Sequence, residues 1–399
     1  MEYRRLPYWE FSLLISVMFG LLAFGTDAML PAFPEIAKDL KLVNVNKAQL
    51  ILSSFVVGTA VGQLITGPMS DSFGRKPVIT AGLLVFILAC IMAYFVKSLE
   101  WMLAARFIQG LGISAPRTVT MALIRDLYSG RKMARVVSIA MAVFVLVPAV
   151  APAMGQYLFL NFGWRSIYLA FILVGFLSLL WLNIRQPETL EPKNRKCFRV
   201  TNLLSAFKIV ITNRLVVTYT AALSLAFAAL FGYLNSAQQI FVNTFNAGTK
   251  FPMYFAIVSI LAGSASFLNA ALVMRFGMRL LATIGFAAQA VMALFMVLFL
   301  YSEILSNEWS LIIFIIWSVL AFFIKGMYFG NLNALAMEPM GKIAGMASAI
   351  IGAVATLLGI LIAVPIGLLF NGTPLPVLIG YIICSGIALM LMLSKPKGA

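Results

Sequence analysis

The chain of 399 residues is 62% hydrophobic and only 11% charged, whereas a soluble globular protein carries roughly a quarter charged residues. This composition, with a mean hydropathy of +1.00, excludes a soluble globule and predicts an all-α polytopic membrane protein. The sequence contains no histidine, which excludes histidine proton relays and most zinc sites. We expect no cofactor and no metal.

Apolar runs of about twenty residues recur along the chain, and each is long enough to cross the hydrocarbon core as a helix. Twelve spans are predicted, at 11–32, 47–69, 77–97, 101–123, 134–159, 166–184, 215–241, 251–274, 280–301, 309–333, 343–369 and 375–394. The first run is too long for a signal-peptide core and no small-residue cleavage site follows it, so we expect it to be retained.

The basic residues predict that both termini are cytoplasmic. With that orientation, twenty of the 29 Lys and Arg residues fall in inner segments and six in outer ones, as the positive-inside rule requires. The net charge of +16 is therefore explained by membrane topology. We expect contact with the lipid bilayer and none with nucleic acid.

The stretch RQPETLEPKNRKCFR, at the middle of the chain, is polar and rich in charge. It predicts a cytoplasmic linker over 186–213, between an N-terminal six-helix half (1–185) and a C-terminal six-helix half (214–399). The loop SFGRK after span two is similar to RFGMR after span eight, and RKMARVVSIA before span five is similar to GKIAGMASAI before span eleven. These repeats predict two pseudo-symmetric halves.

One acid, Asp27, lies well within an apolar stretch, in the outer third of span one. Arg106 lies at a matched depth in span four. A neighbouring arginine favours the charged carboxylate and burial opposes it, and this competition suits a residue that takes up and releases a proton. The alternative is a permanent ion pair that locks spans one and four together.

Two further cations, Arg117 in span four and Lys325 in span ten, stand at equivalent places in the two repeats. They are candidates for cations that face a central cavity from opposite halves. Such a surplus of positive charge favours anionic or zwitterionic substrates. The alternative is that both side chains extend towards the inner interface.

Polar residues within the spans are candidates for the lining of a substrate site, namely Asn235, Gln238, Tyr328 and Asn331. Asn235 and Gln238 are three residues apart and share a helix face. Each of these residues is equally suited to hydrogen bonding between helices. In span five, Pro148 and Pro152 favour a bent helix and Gly155 permits close packing, as a moving helix would need.

Several motifs resemble those of the bicyclomycin-resistance (Bcr/CflA-type) drug:proton antiporters of the major facilitator superfamily. TDAMLPAFPEIA is similar to the span-one signature of that family, and RFIQGLG and APAMGQYL are similar to its motifs in spans four and five. GPMSDSFGRKPV resembles the superfamily loop motif after span two, with Gly67, Asp71, Gly74 and Arg75 in the motif positions. WRSIY and PETL match the family pattern, so the resemblance covers nearly the whole chain.

The resemblance implies a twelve-helix fold in the bacterial inner membrane and substrate efflux driven by proton entry. It implies coupling roles for Asp27 and Arg106. It also implies a cytoplasmic charge latch of Asp71, Arg75 and Arg125 that stabilises the outward-open state. The second half has Met274 where the acid would stand, so we expect a latch on one side only.

We therefore predict a monomeric, proton-coupled, multidrug-type exporter of small molecules. One alternative is a dedicated exporter of an anionic metabolite, such as a carboxylate siderophore, which Arg117 and Lys325 favour. A second alternative is proton-coupled uptake by symport. An enzyme is not expected, because no nucleophile–base pair, metal cluster or phosphate-binding loop is present in the sequence, and no charge ring or filter repeat indicates a channel.

Overall fold

The chain folds into helices because a helix satisfies all its backbone hydrogen bonds internally, as the hydrocarbon core requires. The computed structural model describes residues 6–195, 200–302 and 306–394. Within these ranges the regular secondary structure is entirely helical.

Fifteen α-helices follow one another in the described ranges. They are α1 (Tyr8–Asp27), α2 (Phe33–Asp39), α3 (Leu50–Phe73), α4 (Arg75–Phe95), α5 (Leu99–Leu127), α6 (Gly130–Phe162), α7 (Ser166–Arg185), α8 (Val200–Thr212), α9 (Arg214–Gln239), α10 (Phe251–Gly263), α11 (Ala265–Phe276), α12 (Met278–Tyr301), α13 (Asn307–Met337), α14 (Ala344–Leu368) and α15 (Leu375–Leu393).

Eleven helical segments of the described residues are long and apolar enough to cross a membrane. They correspond to predicted spans one to three and five to twelve. Predicted span four corresponds to α5, a helix of 29 residues, whose apolar character is reduced by Arg106 and Arg117. The count of twelve spans therefore stays a prediction, with α5 as the remaining member.

Contacts between the helices divide the chain into two units. The first comprises Met1–Val43 and Ser54–Leu203, and the second comprises Asn44–Ser53 and Leu204–Ala399. The beginning of α3 thus groups with the second unit. The predicted linker contains the helix α8, and its residues 196–199 lie outside the described residues.

The two repeated loops have the same backbone conformation and make the same contact. Gly74 (φ 107°, ψ 157°) precedes α4, and Gly277 (φ 79°, ψ 156°) precedes α12. Two residues later, Lys76 donates a hydrogen bond to a carbonyl in the last turn of α7 (2.9 Å), and Arg279 donates one to a carbonyl in the last turn of α15 (3.0 Å). The two loops therefore show the repeat that the sequence predicted.

Both glycines have positive φ in a region that is nearly restricted to glycine, where another residue costs about 1–3 kcal/mol. We expect Gly74→Ala and Gly277→Ala each to lower the unfolding temperature of the purified protein in detergent. Gly74→Ala should be the more damaging, because its Cβ would also meet the carboxylate of Glu188, whereas the space beside Gly277 is open. Equal effects of the two substitutions would contradict this reading of the Gly74 contact.

Candidate functional site

Asp27 is the last residue of α1, and it is only 6% exposed. The helix ends there, and the chain continues through a short 3-10 turn, Leu30–Ala32, into α2. None of the ion pairs formed by the described residues includes Asp27. A buried carboxylate without a cationic partner is costly in a membrane protein and is a candidate functional group.

Arg106, on α5, is fully buried and is held close to the same helix end. One guanidinium nitrogen donates a hydrogen bond to Gln109 Oε1 (2.6 Å), and another donates one to the carbonyl oxygen of Gly25 (2.8 Å). The guanidinium also lies 4.4 Å from the centroid of the Phe55 ring. Because Gly25 is two residues before Asp27, the structure brings the two predicted coupling residues into one region, where Arg106 binds the backbone of α1.

Gly155 packs α6 against the chain just after Asp27. A Cβ at position 155 would meet the carbonyl oxygen of Ala28, the residue that follows Asp27. Pro148 and Pro152 lie inside the same uninterrupted helix. The span-five motif and the buried acid are therefore neighbours, a relation that the sequence alone did not predict.

A charge network surrounds Arg75 at the beginning of α4. Its Nη1 atom donates hydrogen bonds to Asp71 Oδ1 (2.5 Å) and Ser70 Oγ (2.8 Å), and its Nε atom donates one to Asp126 Oδ2 (3.1 Å). The Asp71–Arg75 contact was expected from the loop motif. The further partner is Asp126, whereas the neighbouring Arg125 is exposed.

Glu188, in the PETL sequence, caps α4. Its two carboxylate oxygens accept hydrogen bonds from the backbone N–H groups of Arg75 and Lys76, both at 3.0 Å. One of them also accepts from the two residues that follow Glu188, both at 2.8 Å. A carboxylate at a helix N-terminus is favoured by the unpaired N–H groups and the helix dipole. Because Gly74 has no side chain, the Glu188 carboxylate can approach it closely. The other motif glycine, Gly67, lies inside α3, where a Cβ would be 4.0 Å from a methyl group of α5.

Arg117 and Lys325 are both placed over aromatic rings. The Arg117 guanidinium lies 4.6 Å from the ring centroid of Phe19 and 5.2 Å from that of Phe144. Lys325 is 3% exposed; its Nζ atom lies 4.2 Å from the ring centroid of Tyr381 and donates a hydrogen bond to the hydroxyl of the same residue. Neither cation takes part in the ion pairs of the described residues, and aromatic faces partly compensate each charge.

Tyr328 and Asn331, on α13, have hydrogen-bond partners on other helices. The Tyr328 hydroxyl donates to Gln289 Oε1 on α12 (2.8 Å), and the Asn331 amide donates to Asn269 Oδ1 on α11 (2.9 Å). Both residues therefore join helices of the second unit.

Asn235 and Gln238, near the end of α9, are buried but incompletely partnered. The Asn235 amide nitrogen donates to Ser53 Oγ (3.3 Å). The Asn235 Oδ1 and Gln238 Oε1 atoms have no hydrogen-bond partner among the described residues. Of the four uncharged residues among the predicted substrate residues, these two thus retain free acceptors.

Sequence reasoning missed Glu10 as a buried residue, because it lies at the end of span one. Glu10 is 7% exposed; its carboxylate accepts two hydrogen bonds from Arg185 (both 2.7 Å) and one from the Trp181 indole (3.2 Å). The matched depths of Glu10 and Arg185, at the predicted inner ends of spans one and six, were a signal for this pair. Glu188 lies in the PETL sequence, which matches the family pattern, whereas Asp126 carried no signal.

A surface pocket of about 410 Å³ lies where α1 and α6 begin. It is lined by Tyr8, Tyr128, Arg131, Lys132 and Arg135. The lining includes none of the predicted site residues.

Comparisons with known proteins agree with this architecture. A sequence profile of the Major Facilitator Superfamily matches residues 15–364. A bicyclomycin resistance protein homolog from Haemophilus influenzae is 32% identical over 360 residues, which cover 88% of each chain. The multidrug resistance protein MdtL of Citrobacter koseri is 28% identical over 94% of this chain and 93% of its own. The crystal structure of a D-xylose-proton symporter superposes with a TM-score of 0.76 at 17% identity, covering 97% and 98% of the two chains.

The family match over most of the chain, together with the relative of 32% identity, defines a polytopic membrane transporter of small molecules and not an enzyme. The chain belongs to the Major Facilitator Superfamily. The predicted resemblance to bicyclomycin-resistance proteins is confirmed at the level of sequence relationship. The likeness to the xylose symporter supports the fold alone.

The contrast between the two buried acids of α1 generates a stability prediction. We expect Glu10→Gln to lower the unfolding temperature, because Arg185 loses its charged partner. Asp27→Asn should leave it unchanged or raise it, because a buried carboxylate without an ion pair is removed. The measurement is thermal unfolding in detergent, with Glu308→Gln, an exposed acid, as the control. A large loss of stability in Asp27→Asn would indicate that Asp27 locks the helices together.

Proposed function

We propose that this transporter exports small molecules, multidrug-type, across the bacterial inner membrane in exchange for protons, by alternating access. Both termini are cytoplasmic in this proposal, and the working form is a monomer. The observation that carries it is the Asp27 carboxylate, which is buried in the first span and takes part in none of the described ion pairs.

A carboxylate of this kind is suited to carry a proton, because the two sides of the transport cycle offer it different surroundings. When Asp27 is sealed from water, the neutral acid is favoured, and when water reaches it, the charged form is favoured. Net export follows if the proton enters Asp27 from outside and leaves towards the cytoplasm. Substrate then moves in the opposite direction.

Arg106 has the role of a coupling residue in this proposal. It is bonded to the Gly25 carbonyl, so movement of its guanidinium changes both the backbone and the electrostatic field near Asp27. Gly155 supports the same coupling from α6, because it contacts the carbonyl that follows Asp27. A change in the shape of α6, in which Pro148 and Pro152 lie, would therefore reach the acid directly.

The network of Asp71, Arg75, Asp126 and Glu188 supports a second role, that of a conformational latch at the cytoplasmic face. Its contacts join the loop after α3 to the ends of α5 and α7. The equivalent loop of the second unit has Met274 at the acid position, 89% exposed. We propose that the latch is one-sided for this reason.

The relatives whose names include bicyclomycin resistance and multidrug resistance support drugs as substrates. A second candidate is the export of an anionic metabolite. It is favoured by Arg117 and Lys325, which are held over aromatic rings and take part in none of the described ion pairs. Uptake by proton symport is the alternative direction of coupling.

The first test is transport into everted membrane vesicles with an acidic interior. We expect wild type to accumulate tetraphenylphosphonium, a lipophilic cation, and Asp27→Asn to fall to the level of vesicles without the protein, because the proton site is lost. Glu308→Gln serves as the matched control, since it removes an exposed carboxylate. Transport by Asp27→Asn equal to wild type would overturn the proton role. If the gradient instead drives preloaded substrate out, the protein is a symporter.

The same vesicles separate the two candidate substrates. If the protein is a multidrug exporter, citrate will not accumulate. Proton-driven accumulation of citrate that is lost in Arg117→Ala or Lys325→Ala would identify an exporter of anions, because these residues then neutralise the substrate. Lys250→Ala, which removes an exposed cation, is the control for the change in net charge.

A further inference from the structure

The end of α9 contains an unusual concentration of buried oxygen atoms without partners. Gln49 Oε1, Asn235 Oδ1, Ser236 Oγ and Gln238 Oε1 form no hydrogen bond with any described residue. All four residues are at most 4% exposed. An acceptor that loses its water and gains no donor costs free energy, so four within one small region require an explanation.

Direct contacts within the second unit hold these residues together. Gln49 Nε2 donates to Gln239 Oε1 (2.5 Å), and Asn235 Nδ2 donates to Ser53 Oγ (3.3 Å). Gly367, near the end of α14, leaves room for both residues, because a Cβ there would meet Gln49 Oε1 and would lie 3.2 Å from Asn235 Cβ. The 3-10 turn before α3, the end of α9 and the end of α14 therefore meet here. We call the four residues with free oxygens, Gln49, Asn235, Ser236 and Gln238, the amide cluster.

Buried amides elsewhere in this unit are fully used. Gln289, which is 1% exposed, donates to the Ala321 carbonyl (3.1 Å) and accepts from Tyr328 (2.8 Å) and Ser385 (3.2 Å). Gln289 is thus a structural amide, and its neighbours in the second unit supply hydrogen-bond partners for both its nitrogen and its oxygen. The free acceptors of the amide cluster differ from this pattern.

We propose that the amide cluster is a substrate subsite whose oxygens accept hydrogen bonds from an uncharged molecule with several O–H or N–H groups. None of its four residues is ionisable, so the cluster has no charge with which to select an anion or a cation. Its free carbonyl oxygens match hydroxyl and amide donors. This inference deepens the proposed function and names a substrate class for it.

A stability comparison tests whether the oxygens are free. Gln238→Met removes an unpartnered acceptor and keeps the side-chain length, so the unfolding temperature of the ligand-free protein should rise by about 2 °C. The same substitution at Gln289 removes three hydrogen bonds and should lower it. A fall in Gln238→Met similar to that in Gln289→Met would overturn the proposal, because the Gln238 amide would then be structural.

A ligand pair tests what the oxygens bind. Thiamphenicol and florfenicol are neutral and differ by replacement of one hydroxyl with fluorine. Their equilibrium binding to purified protein is compared for wild type, Asn235→Leu, Gln238→Met and Gln289→Met. We expect wild type to bind thiamphenicol roughly fivefold more tightly than florfenicol, as one hydrogen bond allows. The preference should disappear in Asn235→Leu or Gln238→Met and persist in Gln289→Met.

The outcomes separate this inference from the proposed export. Equal binding of the two compounds, or binding of neither, overturns the donor-selective subsite, even if tetraphenylphosphonium is still exported with protons. Conversely, selective binding of thiamphenicol that depends on Asn235 and Gln238 supports the subsite, even if proton-driven export fails in vesicles.

Discussion

The free-energy cost of enclosing a polar group away from water governs the organisation of this protein. With 11% charged residues in the whole chain, every buried charge or amide must be compensated or must serve a function. The structure shows three kinds of compensation. Glu10 has a charged partner in Arg185, Arg117 and Lys325 have aromatic faces, and Glu188 has the backbone N–H groups of a helix end.

The turn between α3 and α4 shows how a short loop gathers several compensating groups. Arg75 is buried at the beginning of α4, and carboxylates from both neighbouring segments and the following linker surround it. A positive φ at Gly74 turns the chain so that the capping carboxylate of Glu188 fits against it. The second unit repeats the turn at Gly277 with Met274 in the position of the acid Asp71. The repeat thus preserves the shape of the loop and changes its electrostatics.

The groups that lack compensation are distributed unequally between the two units. The first holds the buried acid Asp27, with Arg106 and Gly155 against the adjacent backbone. The second holds uncharged acceptors at the end of α9. In the proposed exchange, the proton and the substrate are handled by different units with different chemistry.

The class of the protein, its fold family and most of its spans could be predicted from the amino-acid sequence, because apolar runs and loop motifs are local patterns. The sequence also singled out Asp27 and Arg106, since an ionisable residue within an apolar run is visible without coordinates. Predicted span four, at 101–123, lies within α5, although Arg106 and Arg117 reduce the apolar character that identifies a span.

Which polar side chains have partners could not be predicted from the sequence and is seen only in the folded chain. The sequence shows four uncharged polar residues in the same kind of position, within predicted spans. In the structure, Tyr328 and Asn331 form hydrogen bonds between helices, whereas Asn235 and Gln238 keep oxygen atoms without a partner. In the same way, Asp126 and Glu188 joined the Arg75 network and Glu10 proved to be a buried, paired acid. These distinctions depend on contacts between residues far apart in the chain, which local patterns do not encode.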